Sequence, residues 1–372
     1  MHPDQSRNTN GGARRALAAM SGGVDSSVAA HLLIKSGWDV AGAMLKLFEN
    51  EDVGEDITGA CCSLADKGDA ELVAEALGIP FYVFNYSEQF RRGVMDAFAE
   101  EYERGRTPNP CVECNRLLKF GALLERADSL GFRFLATGHY ARVELSGERY
   151  LLKKGVDDAK DQSYALFFLS QEQLSRTLFP LGGLTKAETR EIARERGFAN
   201  AQKRDSQDIC FVNASDGGYG AFLERYTGRS PEPGDFLDEY GRVLGRHQGV
   251  SRYTVGQRRG LGVSSGGRLY VKELDPGRRA VILGDEASLY RRTLTARRVN
   301  LIAADTLEGD TRVTAKIRYG MREKPAAARL AGEDELRVTF DEPQRAITKG
   351  QYVVLYDGDA VVGGGVIEDS EE

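Results

Sequence analysis

Two kinds of residue in this 372-residue chain can do covalent or phosphate chemistry: five cysteines and one glycine–serine string. Cys111-Val112-Glu113-Cys114 is a CxxC, and Cys210 sits in Asp205-Ser206-Gln207-Asp208-Ile209-Cys210-Phe211. Half a structural zinc site would need a second CxxC or a His pair, and none of the four histidines has a zinc-like spacing to the cysteines. A redox pair is disfavoured by the preceding Asn109-Pro110 and by the lack of a thioredoxin-like βαβ pattern around it. Nucleophilic sulfur chemistry fits better. An ordinary thiol is only a few per cent thiolate near neutral pH, so a reactive one needs a helix N-terminus or a cation beside it. Cys114 precedes a helix expected from about Asn115, and Arg116 and Lys119 follow it. Neighbouring Cys61 and Cys62 would make a strained disulfide and read more simply as two loop thiols. An odd, small number of cysteines argues for a reducing compartment, with the cytoplasm as the expected location.

The string is Ala16-Leu-Ala-Ala-Met-Ser-Gly-Gly-Val-Asp-Ser-Ser27. It begins as a short apolar run, breaks at Gly22 and Gly23, and resumes with Val28, Leu32 and Leu33 at helical spacing up to about Lys35, with Gly37 beyond. Strand, glycine turn and helix N-terminus together hold a phosphate, because bare N–H groups and the helix dipole face the anion. Ser21, Ser26 and Ser27 add hydroxyl donors. The order is neither a Walker A loop nor the GxGxxG dinucleotide turn. It is similar to the pyrophosphate loop of enzymes that split ATP between the α and β phosphates, which implies adenylation followed by displacement.

The elements that must position these residues follow a clear rhythm. Strands are expected at Asp39–Phe48, Ile79–Asn85 and Phe132–Ala136. Helices are expected through Ala70–Leu77, Phe90–Tyr102 and Leu117–Leu130, the first opened by a capping box of Ser63 and Asp66. Alternating strands and helices imply a parallel sheet with its ligand crevice at the carboxyl ends of the strands. There the loops at Ser21, Cys61 and Gly138 should converge. A hairpin is expected over Val143–Lys154 around Ser146-Gly147, and Thr185 with Glu188 caps a helix ending at Gly197. Beyond Phe211 the helical pattern fades, and from Arg279 onward short alternating runs dominate, with a hairpin at Asp357-Gly358. The fold class expected is α/β: an N-terminal parallel-sheet nucleotide-binding domain with a pyrophosphate loop (14–215), a small central mixed domain (216–279) and a C-terminal β-barrel (280–372).

The formal net charge of -6 does not suggest a nucleic-acid binder. Yet from Arg242 to Arg298 thirteen Lys and Arg face only four Asp and Glu, a local excess of nine positive charges. That is either a polyanion footprint or a solvated surface balanced by acids from elsewhere. No apolar run approaches a membrane span, and Met1–Arg15 is polar with no signal-peptide core, so a frayed tail is expected.

Several motifs in order make the chain, from Arg15 to Glu368, closely resemble the tRNA-specific 2-thiouridylase family. They are Ser21–Ser27, Gly105-Arg-Thr-Pro-Asn-Pro110, Cys114-Asn115, Ala136-Thr-Gly-His-Tyr140, Lys160-Asp-Gln-Ser-Tyr164, Asp205-Ser206, Ile209-Cys-Phe211, Gly256-Gln-Arg258, Arg318-Tyr319 and Gly363-Gly-Gly365. The resemblance implies transfer of AMP from ATP and Mg2+ to O2 of the uracil at the first anticodon position, then displacement of AMP at C2 by sulfur. It implies ATP contacts at Ala19, Met20, Ser21, Gly22, Gly23, Val24, Asp25, Ser26 and Gly138, with the Leu45 backbone near adenine. Cys114 would be the nucleophile and Cys210 the persulfide carrier, supplied by a sulfur-carrier protein or a cysteine desulfurase. Asn109, Pro110 and Cys111 would face the target base, and His139, Lys160, Asp161, Gln162, Arg318, Tyr319 and Gln351 would touch tRNA. Many family members carry an aspartate, a candidate general base, where this chain has Cys111. The alternative is that Cys111, Cys114 and Cys210 hold a [4Fe-4S] cluster with one open iron for sulfide. Two other functions compete: an adenylating amide ligase with the same loop, which leaves the cysteines and the basic stretch idle, and a catalytically relic RNA-binding protein, which leaves Asp25, Ser26, Cys114 and Cys210 unexplained.

Overall fold

The apolar run Arg15–Ala19 forms β1, with Ala16, Leu17 and Ala18 buried, and its burial on both faces is what a central parallel strand requires. The computed structural model describes residues 14–48, 64–205, 209–212, 217–264 and 267–371. Glu49–Ala60, Cys61, Cys62, Ser63 with its expected capping box, and Ser206, Gln207 and Asp208 lie outside the described residues, as does most of the N-terminal tail.

The chain divides into two compact units. The first comprises Met1–Val94, Cys111–Asn213 and Asp359–Val361, and the second Met95–Pro110, Ala214–Gly358 and Val362–Glu372. In the first unit β1 continues through a glycine turn into α1 (Val24–Lys35). Then come β2 (Asp39–Lys46), α2 (Leu64–Leu77), β3 (Phe81–Asn85), β4 (Phe134–Ala136), the β5–β6 hairpin (Ala141–Ser146, Arg149–Lys154) and β7 (Thr177–Leu178). The five-stranded sheet runs β3-β2-β1-β4-β7 with every pairing parallel. The order reverses direction at β1, between β2 and β4, so the loops after β1 and β4 flank a crevice at their carboxyl ends. The helices lock onto this sheet through Val28, Leu33, Val73 and Ala74, and Trp38 meets Phe134 edge-on at 5.2 Å. Full burial of a Val or Leu side chain is worth roughly 1.5–3 kcal/mol. The Thr185/Glu188 capping box forms as expected and opens α3 (Lys186–Glu195).

The hairpin expected around Ser146-Gly147 forms there, with β5 ending at Ser146, Gly147 at positive φ and β6 beginning at Arg149. One expectation changes. The helix expected from Asn115 instead begins at Pro110, runs as an α turn to Cys114, widens to π geometry over Asn115–Ala122 and returns to α over Leu123–Ser129. Proline is a natural first helical residue because the N–H it lacks would be unpaired there anyway.

In the second unit Gly218–Thr227 is a helix that the sequence pattern missed, because its first turn holds two glycines. Phe222 lies 5.9 Å from Phe98, and Tyr219 stacks on Tyr102 at 4.7 Å. The mixed sheet β10-β11-β8-β9 comprises β8 (Gly234–Leu237), β9 (Val243–His247), β10 (Tyr270–Asp275) and β11 (Ala280–Gly284) around Phe236, Val271 and Val281. Six antiparallel strands follow: β12 (Tyr290–Leu301), β13 (Thr311–Lys316), β14 (Lys324–Gly332), β15 (Glu335–Arg345), β16 (Tyr352–Asp357) and β17 (Ala360–Glu371). Their order is β12-β15-β14-β13-β16-β17, and pairing of β12 with β17 closes the barrel around Leu294, Val338, Phe340 and Leu355. Among the described residues no helix is long and apolar enough to cross a membrane.

Candidate active site

The turn after β1 is built from its own serines. Ser26 Oγ accepts from the Ser21 N–H at 3.1 Å and donates to the Gly23 carbonyl at 3.1 Å, and Ser27 Oγ donates to the same carbonyl at 3.0 Å. Gly22 has φ +73, and a Cβ there would lie 2.2 Å from the Asp66 carbonyl oxygen, so backbone packs directly on backbone. Gly138, just past β4, is needed for the same reason: its Cβ would stand 2.8 Å from the Asp25 carbonyl carbon and the Ser26 nitrogen. The two switch-point loops thus meet at the first turn of α1, where its unpaired N–H groups and dipole favour an anion. Ala19, Met20, Ser21, Gly22, Gly23, Val24, Asp25, Ser26 and Gly138 are brought together, with Ser21 exposed. Buried Leu45 lies near the carboxyl end of β2. The third loop expected there, at Cys61, is outside the described residues.

Lys186, Arg190 and Lys203, which sequence reasoning did not single out, join Asp25, Lys160 and Asp205 around this turn. Lys186 Nζ donates to both Asp25 oxygens at 2.7 and 2.8 Å and lies 2.8 Å from Asp205 Oδ1. Asp205 also receives Lys160 and Arg190, each at 2.7 Å. Burial alone would raise the Asp205 carboxyl; the ion pairs with Lys160 and Lys186 overcome it and hold the carboxyl at about 2. The Tyr140 hydroxyl donates to Asp25 at 2.9 Å, and burial, then the Asp25 charge, push its phenol well above the usual range. On the other side Lys203 donates to Asp66, Asp69 and the Gly22 carbonyl at 2.5, 2.6 and 3.3 Å, and Asn200 donates to the Gly22 carbonyl and Ser27 Oγ. One signal could have found Lys186: a lysine in the first turn of a capped helix, where the dipole disfavours a cation.

Of the residues assigned to tRNA by resemblance, those in this unit serve the loop fabric. Asp161 is buried and accepts from the Gly155 and Ser163 N–H groups and the Ser163 hydroxyl, while Gln162 Oε1 accepts from the Tyr140 N–H at 3.0 Å. His139 is buried between Phe120 and Phe179, with Nδ1 2.8 Å from Thr137 Oγ1. Burial first, then the Lys119 charge, hold it well below the ordinary histidine value, so it is neutral.

Cys111 is exposed, Cys114 buried and Cys210 half-buried. Because the helix starts at Pro110, Cys114 closes its first α segment instead of preceding it, which corrects the expected N-terminal placement. Arg116, expected to support the Cys114 thiolate, is claimed by Glu113 at 2.6 Å. Asn115 is buried and donates to the Ala165 carbonyl at 3.2 Å, tying the start of the π segment to the loop after Gln162. Among the described residues no group of three or more His, Cys, Asp and Glu is placed to hold a metal ion.

Within the second unit, Gln351 Nε2 donates to the Thr107 carbonyl at 2.8 Å and the Thr107 N–H donates to the Lys349 carbonyl at 2.9 Å, which fixes the loop that leads to Asn109 and Pro110. Arg106 anchors the same loop through Glu101 and Glu368. Arg318 donates to the Ala346 carbonyl and Thr348 Oγ1, and Tyr319 is exposed. Much of the basic excess is balanced by acids: Arg242 by Asp238, Arg252 by Glu224, Lys272 by Glu239, Arg279 by Glu232 and Arg297 by Glu335. Arg258 and Arg259 are exposed, and among the described residues their guanidinium groups have no acidic partner.

Family models match along the chain: a tRNA methyl transferase HUP domain over residues 14–214, a tRNA methyl transferase PRC-barrel domain over 220–285 and an aminomethyltransferase beta-barrel domain over 291–367. The tRNA-specific 2-thiouridylase MnmA of Clostridioides difficile (strain 630) is 49% identical over 359 residues, spanning 96% of this chain and 99% of that protein. The protein of the same name from Acetivibrio thermocellus is 48% identical over 358 residues, spanning 95% and 99%. Among solved structures, a 4-thiouridine synthetase–RNA complex with bound ATP aligns loosely, with TM-score 0.36 and 17% identity over 53% of this chain and 45% of that one.

Proposed function

The chain belongs to the tRNA-specific 2-thiouridylase family and is a tRNA-uridine 2-sulfurtransferase, and from that premise we propose the course of its reaction. ATP, entering with Mg2+ as part of the substrate, lies at the turn after β1 with its phosphates on the N-terminus of α1. Uracil O2 of the first anticodon base attacks the α-phosphorus, the bond to the bridging oxygen breaks, and pyrophosphate leaves with the electron pair. This step is needed because a carbonyl oxygen is a poor leaving group until it carries AMP.

The sulfur comes as a persulfide on Cys210, delivered by a sulfur-carrier protein or a cysteine desulfurase. Its outer sulfur attacks C2 and AMP departs with O2. The Cys114 thiolate then attacks the Cys210 sulfur and cleaves the S–S bond, leaving sulfur on the base and a Cys114–Cys210 disulfide. An external thiol reductant resets the pair. A [4Fe-4S] cluster on Cys111, Cys114 and Cys210 is the second reading, and iron and sulfide analysis of protein purified without oxygen separates the two. Cys111, exposed and three residues before Cys114, takes the place proposed for the base that removes the N3 proton. Asn109, Pro110, Arg318, Tyr319 and Gln351 are proposed contacts to tRNA, as are His139, Lys160, Asp161 and Gln162, the last group through the loops they hold.

The observation that carries this reading is the meeting of the β1 and β4 loops at the first turn of α1, an anion site at the switch point of a parallel sheet. The test is to follow AMP and pyrophosphate from ATP with and without unmodified tRNA. Formation of both only when tRNA is present supports adenylation of RNA. Equal release without tRNA points to a ligase acting on a small acid, and release of neither points to a relic.

A further inference from the structure

We propose that Asn200 and Lys203 lock the Gly22–Gly23 peptide of the nucleotide turn with its N–H toward the phosphates. The inference rests on the reading of the turn after β1 as the ATP site and names the side chains that keep that site in its binding form. A peptide flanked by two glycines is the unit of a turn most free to rotate, because neither residue has a Cβ to oppose the change. Gly22 stands at φ +73 and Gly23 at φ -88. Rotated through half a circle, the same peptide would present its carbonyl oxygen where the N–H now stands, and an oxygen there repels an anion.

Two side chains hold the oxygen end. Asn200 Nδ2 donates to the Gly22 carbonyl at 3.0 Å and to Ser27 Oγ at 2.9 Å, and Lys203 Nζ donates to the same carbonyl at 3.3 Å. The peptide is planar and trans, so the Gly23 N–H points the opposite way from that carbonyl. Among the described residues this N–H has no hydrogen-bond partner. It belongs to the residue just before α1, at the helix end that favours anions, and is a phosphate donor held in place.

Asn200 weakens the fold at the point where it serves the turn. It is 3% exposed, and its Oδ1 is buried with no partner among the described residues, a loss that an apolar side chain of similar size would not incur. Reversing the amide does not cure this, because the Gly22 oxygen only accepts and would then face a second acceptor. Both amide hydrogens therefore go to the turn. Lys203 is itself anchored: Asp66 and Asp69 hold its ammonium, and Arg190 donates to its carbonyl at 3.1 Å. The lock thus has its base on α2 and α3.

The experiment measures ATP binding, tRNA binding and the thermal midpoint of the purified full-length protein. Asn200→Leu should weaken ATP binding at least about tenfold, the scale of one charge-assisted hydrogen bond to phosphate, with tRNA binding within about twofold of wild type. Its midpoint should stay level or rise, because the unpaired Oδ1 is gone, Gly22 keeps Lys203 and Ser27 still donates to the Gly23 carbonyl. Lys203→Arg, which keeps a donor for the Gly22 carbonyl, should bind ATP more tightly than Lys203→Met. Gly23→Ala supplies the comparison that a bracing role would not affect. Its Cβ fits the native turn, 3.5 Å from Ser21 Oγ, but opposes the positive φ that a rotated peptide imposes at residue 23. In that background Asn200→Leu should change ATP binding by less than about threefold. An equal loss in both backgrounds overturns the proposal, as does unchanged ATP binding in Asn200→Leu. A lower midpoint with equal losses of ATP and tRNA binding also overturns it, since Asn200 would then only hold its loop against α1. If Asn200→Leu does not fold, Asn200→Asp keeps the shape without the donors and carries the same comparison. A wild-type protein that does not bind ATP removes the ATP reading and this inference together, whereas tight binding by wild type and Asn200→Leu alike removes this inference alone.

Discussion

Asp25 is half-buried in the first turn of α1, and Lys186 and Tyr140 both hold its carboxylate. Asp25→Asn should therefore cut tRNA-dependent pyrophosphate release by about 100-fold or more, while tRNA affinity in a filter-binding titration stays within about threefold. Near-normal release would remove Asp25 from the chemistry. Two titrating groups near the turn contribute to the pH response of stability. Asp205 is held at about 2 against an ordinary 3.8, so its ion pairs stabilise the fold fully above pH 3.8 and are lost as pH falls toward 2. Asp205→Asn should flatten that part of an acid-denaturation curve. His139 is kept neutral when folded, so the unfolded chain binds the extra proton below pH 6.5 and stability falls as pH drops through that value. Urea midpoints at pH 7.5 and 5.5 should differ less for His139→Gln than for wild type. The serines, glycines and Asp25 were legible because they are contiguous. Lys186, Asn200 and Lys203 were not, because their partners lie more than 100 residues away in the chain and only folding brings them together.

Elements were legible where a local rule decides them. Gly37 and Gly78 end helices at positive φ, and Thr185 with Glu188 forms both halves of its capping box. Thr185→Ala should cost about 1 kcal/mol in a urea titration, since it removes a cap and leaves Glu188 with one partner fewer. An unchanged midpoint would mean the box adds nothing. Where rules compete, the sequence misled. Apolar spacing through Leu117 and Leu123 suggested a plain helix from Asn115, yet Pro110 starts it earlier and π geometry occupies Asn115–Ala122. That irregularity directly follows Cys114, and π segments often sit at functional positions. The Gly218–Thr227 helix was hidden by glycines and is instead organised by Phe222 and Leu223 in its buried face. Contact between two loops makes the sharpest test at this scale. Gly138→Ala puts a methyl 2.8 Å from the Asp25 and Ser26 backbone, so pyrophosphate release should fall more than about tenfold with only a modest loss of thermal stability. Full activity would show that the close approach is not needed.

Across the whole molecule, a charge count from sequence cannot see pairing. The excess of nine positive charges shrinks once Glu224, Glu232, Asp238, Glu239 and Glu335 are found beside its arginines and lysine. Arg258 and Arg259 remain exposed, in a turn braced by Gln257, which accepts from the Thr254 N–H and donates to the Arg259 carbonyl. Charge reversal of both should weaken tRNA binding and reduce the salt slope by roughly one to two units, at about -0.7 to -0.9 per neutralised phosphate. An unchanged slope would make this surface irrelevant to RNA. The parallel sheet and the closed barrel were readable from periodicity, whereas the grouping of Met95–Pro110 with the later part of the chain was not, because it depends on Phe98 and Tyr102 finding Phe222 and Tyr219. If RNA is activated before sulfur arrives, a single turnover of Cys210→Ser with ATP labelled at the α-phosphorus and unmodified tRNA should give stoichiometric pyrophosphate release and AMP covalently retained on the tRNA, with no thiolation. Release of ADP, or pyrophosphate formed equally without tRNA, would exclude that order.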